Sequence, residues 1–237
     1  MPKKIIISII AVLILIAGYA VTAYQMDFFP FGEGGWGNIF KDKEVNPADL
    51  IVFNPKTPNI PAGVLEVYQQ RFNDIKNILQ NDMDNMAGWL ALGVIQKSIG
   101  DYESARDTWL YVNKIRPKNS ISFANLGDLY AYNLNNPGEA EIMMQIAIEN
   151  DPTDINYILN LANIYRYKYP GKEGLFEKTL LDAEKKFSDN VDIISTLAAY
   201  YRQTKQKDQA IFYYEKLVQL DPNNQTAKQD LEELKNE

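Results

Sequence analysis

Apolar residues recur along most of this chain at spacings of three and four, the period of one helical face. The N-terminal quarter departs from that pattern. From Ile5 to Met26 there is no charged residue. At a rise of about 1.5 Å per residue this segment spans roughly 33 Å as a helix, enough for a hydrocarbon core of about 30 Å. Its Ile, Leu and Val residues make membrane insertion favourable by roughly 3 to 7 kcal/mol. A transmembrane signal anchor is therefore predicted at 5–26, which makes the lipid bilayer a partner through Ile5 to Met26. A cleaved signal peptide is the alternative, with Lys3 and Lys4 as its basic start and Val21-Thr22-Ala23 as its small-residue site. The uncharged run outlasts a usual signal core of about 7 to 15 residues, which favours the anchor. Lys3 and Lys4 precede the span, and Asp27 and Glu33 are the first charges after it. Residues 1–4 are thus expected to be cytoplasmic and the rest of the chain extracytoplasmic, on a single-pass protein of the cell membrane.

Residues 27–61 turn to Gly, Pro and aromatics without a sustained period, the mark of a juxtamembrane linker. Phe28, Phe29, Phe31 and Trp36 suit the headgroup zone. Gly32-Glu33-Gly34-Gly35-Trp36-Gly37 matches a phosphate-loop spacing but lacks the strand-turn-helix unit that would give it meaning. Leu50-Ile51-Val52-Phe53 is the one apolar run, expected to pack under the folded region rather than to serve as a docking strand.

From Pro61 onward the helical period holds and the chain repeats. Residues 62–85 read as an N-terminal capping helix that covers the first unit, with Val64, Leu65, Tyr68, Phe72, Ile75 and Leu79 as its apolar residues. Four units follow, 86–119, 120–154, 155–190 and 191–224, of 34, 35, 36 and 34 residues. Their fourth positions hold Trp89, Phe123, Ile158 and Ile194, and their seventh Leu92, Leu126, Leu161 and Leu197. The eighth positions hold Gly93, Gly127, Ala162 and Ala198, and the eleventh Gln96, Tyr130, Tyr165 and Tyr201. In the second half of each unit come Ala105, Ala140, Phe176 and Ala210, then Trp109, Met144, Leu180 and Tyr214, then Val112, Ala147, Ala183 and Leu217. This pattern resembles the tetratricopeptide repeat, and 225–237 reads as a charged C-terminal capping helix.

The spacing has its own physical sense. Positions 4, 7, 8 and 11 form one helical stripe on which bulky residues flank a small one, so a second antiparallel helix can approach closely. Gly93 or Ala162 on the first helix is expected to face Ala105 or Ala140 on the second. Gly100-Asp101 fits a helix stop followed by an N-cap, and Pro117, Pro152 and Pro222 end the second helices. Each unit is then a helix-turn-helix that cannot bury its apolar face alone, so the predicted fold is an all-α solenoid of about four repeats plus capping helices. The third unit is irregular. It carries a longer turn, Tyr169-Pro170-Gly171-Lys172-Glu173-Gly174, and Phe176 where a small residue is expected, so its hairpin is either wider or shifted by one turn.

Composition narrows the chemistry. With no His and no Cys, disulfides, thiolate nucleophiles, Cys-ligated zinc and the usual general base are excluded. The formal charge is -7, or -9 once Lys3 and Lys4 are set apart; such an acidic body is a poor partner for nucleic acid. Asn81-Asp82-Met83-Asp84-Asn85 begins like a calcium loop but lacks the Gly and Glu that complete one, so it reads as an inter-helix turn. Asp182, Glu184 and Asp189 do not single themselves out as an acid and base pair. The sequon Asn224-Gln225-Thr226 carries no function by itself. No cofactor, metal site or enzymatic activity is predicted.

The resemblance implies a protein or peptide ligand held on the concave face, lined mainly by the first helix of each unit. At positions 2, 5, 6, 9, 12 and 13 of those helices the polar candidates are Asn125, Asp128 and Tyr132 in the second unit, Asn160, Asn163, Arg166 and Tyr167 in the third, and Arg202 in the fourth. Asn pairs with backbone amides and Arg forks onto carboxylates, so this set suits an extended peptide. A subclass of the family clamps a terminal carboxylate with Lys at position 5 and Asn at position 9 of its first repeat. Leu90 and Val94 stand there, so that clamp is not supported. The expected function is a membrane-anchored interaction scaffold. Its alternatives are an accessory subunit of a secretion, pilus or envelope-assembly complex, or a secreted repeat protein.

Overall fold

The computed structural model describes residues 46–236. After a 3-10 turn at Pro47–Leu50 come ten α-helices: α1 (Ala62–Asn81), α2 (Met86–Ser98), α3 (Tyr102–Ile115), α4 (Ser120–Tyr132), α5 (Pro137–Asn150), α6 (Ile155–Tyr167), α7 (Leu175–Lys186), α8 (Val191–Gln203), α9 (Lys207–Leu220) and α10 (Gln225–Asn236). No strand occurs among the described residues. Each helix packs on the next, so α2/α3, α4/α5, α6/α7 and α8/α9 are four stacked hairpins between α1 and α10. Among the described residues no helix is long and apolar enough to cross a membrane. The predicted anchor at 5–26, and residues 27–45 of the linker, lie outside them.

Local sequence sets the helix ends. Asn85, Asn119, Asp154 and Asn190 cap α2, α4, α6 and α8, each side-chain oxygen accepting a first-turn amide at 2.8 to 3.0 Å. Asn224 caps α10 in the same way at 3.0 Å. Every first helix therefore begins one residue after an Asn or Asp, each cap contributing about 1 kcal/mol. Within each of the four hairpins the connecting turn contains a left-handed residue, Gly100 (φ 82), Asn135 (φ 51), Gly171 (φ 85) and Lys205 (φ 58). Asp101 follows at the N-cap position of α3, but its side chain makes no cap hydrogen bond; it turns instead to Lys56.

Positions 4, 7 and 8 of α2, α4, α6 and α8 are buried, as the periodicity predicts. A second buried stripe runs along positions 3 and 10, including Ile95, Leu129, Ile164, Ile193 and Leu234. It faces the preceding unit. A side chain at Gly88 would meet Leu79 of α1 at 2.9 Å, and Ser122 donates to Asn113 of α3. Position 11 ties units together as well. The hydroxyls of Tyr165 and Tyr201 donate to Glu141 and Glu177 on the preceding second helix, both at 2.7 Å. Gln96 donates to the carbonyl of Leu50 at 2.9 Å.

Residues 46–60, read from sequence as the end of a linker, are a strap on the first hairpin. Leu50 is buried, the Phe53 and Phe72 rings lie 5.3 Å apart, and the amides of Lys56 and Thr57 donate to Ile99 O at 2.8 and 2.9 Å. Lys56 Nζ reaches Asp101 Oδ1 at 2.8 Å and Glu103 at 2.9 Å, with the Asp101 side chain only 1% exposed. The nearest neighbour of Gly93 across the hairpin is the Trp109 indole, which lies over it and leaves no room for a Cβ. At Gly127 the neighbours are the Met144 methyl and the Ala140 carbonyl. In the third hairpin Phe176 is buried and its ring packs 4.9 Å from that of Tyr200 on α8. The bulky residue thus fills space against the next unit. Residues 81–85 form a turn in which Asp82 accepts from the Asp84 amide at 3.1 Å.

Candidate partner-binding groove

The first helices α2, α4, α6, α8 and α10 stand side by side, and side chains cross from each to the next. Lys97 of α2 pairs with Asp128 of α4. Lys168, just after α6, lies 4.8 Å from the Tyr132 ring on α4. Arg166 of α6 donates to Gln203 of α8, and Arg202 of α8 pairs with Asp230 and Glu233 of α10. Positions 2, 6, 9 and 13 of these helices share a stripe on the exposed side of that sheet of helices. On α4 the stripe is Ile121, Asn125, Asp128 and Tyr132; on α6 it is Asn156, Asn160, Asn163 and Tyr167. The flanking helices present mostly small or short residues there: Ala87, Ala91, Val94 and Ser98 on α2, and Asp192, Thr196 and Ala199 on α8, followed by the longer Gln203.

The sequence candidates divide into two groups. Asn125, Asn160 and Asn163 are half-buried or exposed and make no side-chain hydrogen bond among the described residues. Tyr132 and Tyr167, which end their rows, are 46% and 60% exposed. Burial first, and then the Asp128 charge, push the Tyr132 phenol up from its ordinary value, so it is a neutral donor at physiological pH. These five face outward and are able to contact a ligand.

Asp128, Arg166 and Arg202 behave differently. Arg166 lies 4.6 Å from the Phe176 ring centroid, 5.0 Å from Tyr200 and 5.1 Å from Tyr167, so its half-buried guanidinium is held by aromatic faces and Gln203. Arg202 holds α10 through its ion pairs, and Asp128 is bridged by Lys97. Lys97, Arg166 and Arg202 all occupy position 12 of their units. That position serves the seam between repeats. Sequence reasoning did not single out Lys97 or Lys168. The recurrence of a cation at position 12 was the signal for the first, while nothing local marked the second, which lies past the helix end. Among the described residues no three acidic side chains gather to hold a metal ion.

A family model described as the tetratricopeptide repeat matches residues 191–224, the fourth unit. The fold is a tetratricopeptide-repeat solenoid. Three crystal structures share it. PilW, a widely conserved type IV pilus biogenesis factor, is 21% identical with a TM-score of 0.53, the match covering 72% of this chain and 84% of PilW. MamA is 16% identical with a TM-score of 0.52, over 69% of this chain and 96% of MamA. TTC0263, a thermophilic tetratricopeptide repeat protein of Thermus thermophilus, is 16% identical with a TM-score of 0.51, over 74% of this chain and 94% of its own. No curated protein sequence matches the chain. At these identities the likeness concerns the fold, and the groove of this tetratricopeptide array is described by its own residues.

Proposed function

We propose that the chain is a protein-protein interaction scaffold that holds an extended partner segment across the rows of α4 and α6, carried by a membrane anchor at 5–26 with the repeats on the extracytoplasmic side. One observation carries the groove: Asn125, Asn160 and Asn163 lie on adjacent rows with no hydrogen-bond partner among the described residues. The polar groups on the seams beside them are satisfied within the protein. A carboxamide offers both a donor and an acceptor, which matches the alternating groups of an extended backbone. The uncharged run of 5–26 and the lysines before it support the anchor and its direction.

The test is a binding titration with the partner recovered by crosslinking in native membranes. Asn163→Ala should lower affinity by about 0.5 to 1.5 kcal/mol without altering the helical content. Lys178→Glu, at an exposed site on α7, should leave binding unchanged. Protease added to spheroplasts should remove the repeats; protection until lysis would reverse the orientation. A second reading, an accessory subunit of a pilus or envelope-assembly complex, is favoured by the fold shared with PilW. Co-purification in a stoichiometric membrane complex would distinguish it from a free adaptor.

A further inference from the structure

α1 stands at the head of the array as a second helix that lacks a first. Ten and seven residues before the cap of the following helix, every second helix buries a pair of side chains within its hairpin. Trp109 and Val112 precede Asn119 in this way, and Met144 and Ala147 precede Asp154. Across the four units none of the eight is more than 5% exposed. The same count back from Asn85, the cap of α2, reaches Ile75 and Ile78 of α1. Here Ile75 is only half-buried and Ile78 is 45% exposed. α1 packs on α2 through Phe72 and Leu79, and the side that a hairpin partner would cover stays open.

That open side is self-complementary. Val67, Arg71, Asp74 and Ile78, spaced by four, three and four residues, form one stripe, with Val64 and Ile75 beside it. No other helix among the described residues exposes three large apolar side chains, as α1 does with Val64, Val67 and Ile78. Arg71 and Asp74 are exposed as well, and neither forms an ion pair among the described residues. The stripe reads apolar, charged, charged, apolar from either end, and its two charges are opposite. A second α1 laid antiparallel on it therefore sets Val67 against Ile78 and Arg71 against Asp74, each twice, about a two-fold axis. The other end of the array has no such face. On α10 the positions that would meet a second helix are Lys228, Leu231, Glu232 and Lys235, so a head-to-tail filament gains nothing there.

We propose that α1 is a homodimerisation helix, its open face taking the α1 of a second copy of this chain in an antiparallel pair. Val64, Val67, Ile75 and Ile78 supply the apolar burial. Two reciprocal ion pairs, Arg71 to Asp74 of the second copy and the reverse, fix the direction and register, since a parallel pair or a shifted one would leave the charges unmatched. α1 contributes no residue to the rows of α4 and α6, so the dimer stands or falls independently of what the groove binds.

The test measures self-association of the full-length protein in detergent micelles by sedimentation equilibrium, with circular dichroism to check that each variant keeps its helices. The parent should be a dimer. Arg71→Glu and Asp74→Arg alone should each raise the dissociation constant by about tenfold or more, and the two together, which exchange the charges, should restore it to within about threefold. Ile78→Glu should also weaken the dimer by about tenfold or more, while Lys76→Glu, at an exposed site elsewhere on α1, should leave it within about twofold. Because the chain has no Cys, introduced thiols report the register in native membranes. A short bismaleimide should join Val67→Cys in one copy to Ile78→Cys in another, and should join neither variant to itself. A monomer throughout the accessible concentrations would overturn the proposal, as would a dimer indifferent to Arg71→Glu and Ile78→Glu, which would then be held by another part of the chain. Failure of the charge exchange to restore the dimer, or an adduct from position 78 to a different protein with none to a second copy, would overturn it equally.

Discussion

Replacing Gly93 by Ala adds a single methyl group where the first hairpin is most crowded. Its Cβ would lie 2.3, 2.5 and 2.8 Å from Nε1, Cε2 and Cδ1 of Trp109, where ordinary contact begins near 3.4 Å. The indole is 1% exposed and rigid, so it has to withdraw by roughly 1 Å into a packed interior, an overpacking cost of about 1 to 3 kcal/mol. Withdrawal also lengthens the 3.3 Å hydrogen bond from Trp109 Nε1 to Leu90 O, adding about 0.5 to 1.5 kcal/mol. Against this, Ala is a better helix former than Gly by about 0.5 to 1 kcal/mol. The net is a destabilisation of about 2 kcal/mol, a fall of about 4 to 8 °C in Tm for an array of this size. Gly127→Ala is the internal control. There the clash, at 2.7 Å, is with the terminal methyl of Met144, while the nearest backbone atoms stand at 3.3 and 3.4 Å. The flexible methyl swings aside and the helix gain compensates, leaving stability within about 1 kcal/mol of the parent. Thermal and urea melts followed by circular dichroism decide the matter. Gly93→Ala melting at or above the parent, or both variants falling equally, would refute the packing argument.

Three further outcomes follow from the seams. Lys56→Met should release the strap, so that amide exchange at positions 56 and 57 accelerates while the third and fourth hairpins keep their protection. In the parent, Lys56 holds the Glu103 carboxyl below its ordinary 4.5, chiefly by hydrogen bonding; the depressed value means this contribution is present above that pH and fades as pH falls, so strap protection should weaken on acidification. Burial, and then the Glu141, Glu177 and Glu184 carboxylates, raise the phenols of Tyr165, Tyr201 and Tyr213 above 10.0. Their stabilisation is therefore complete below pH 10 and lost as pH rises through the raised values; Tyr201→Phe should cost about 1 to 2 kcal/mol at neutral pH and blunt that alkaline loss in urea melts. Arg202→Ala should speed amide exchange in α10 more than in α4 or α6, and high salt should have the same effect on the parent.

The repeat was legible because its signal is internal: a bulky residue, a Leu and a small residue at positions 4, 7 and 8 recur with a fixed period, and that stripe is buried. The position 3 and 10 stripe was harder to see. Gly88, Ser122, Tyr157, Ile193 and Ala227 share burial but no residue class, because each is fitted to a different preceding unit. Phe176 misled for a related reason, since its ring answers to Tyr200 and Arg166 on other helices. The apolar run Leu50-Ile51-Val52-Phe53 announced that part of the strap packs on the folded region, whereas its bonds to Ile99 and Gln96 are made by strap backbone groups, which have no sequence signature. In the groove, one-helix spacing placed the Asn and Tyr rows. It did not reveal that the cations of position 12 serve the neighbouring repeat, since an ion pair between helices depends on the stacking and not on the helix that carries the residue.

Which face of the repeat array meets the partner can be measured directly. A photo-crosslinking residue placed at position 167, and separately at position 212 on the second helix of the fourth unit, reads this out in full-length protein in native membranes. Both Tyr167 and Phe212 are well exposed, at 60% and 58%, so accessibility does not bias the comparison. A discrete adduct from position 167 that is lost on adding Asn163→Ala, with none from position 212, is the predicted result. An adduct from position 212 with none from 167 would contradict the groove and place the working surface on the opposite face.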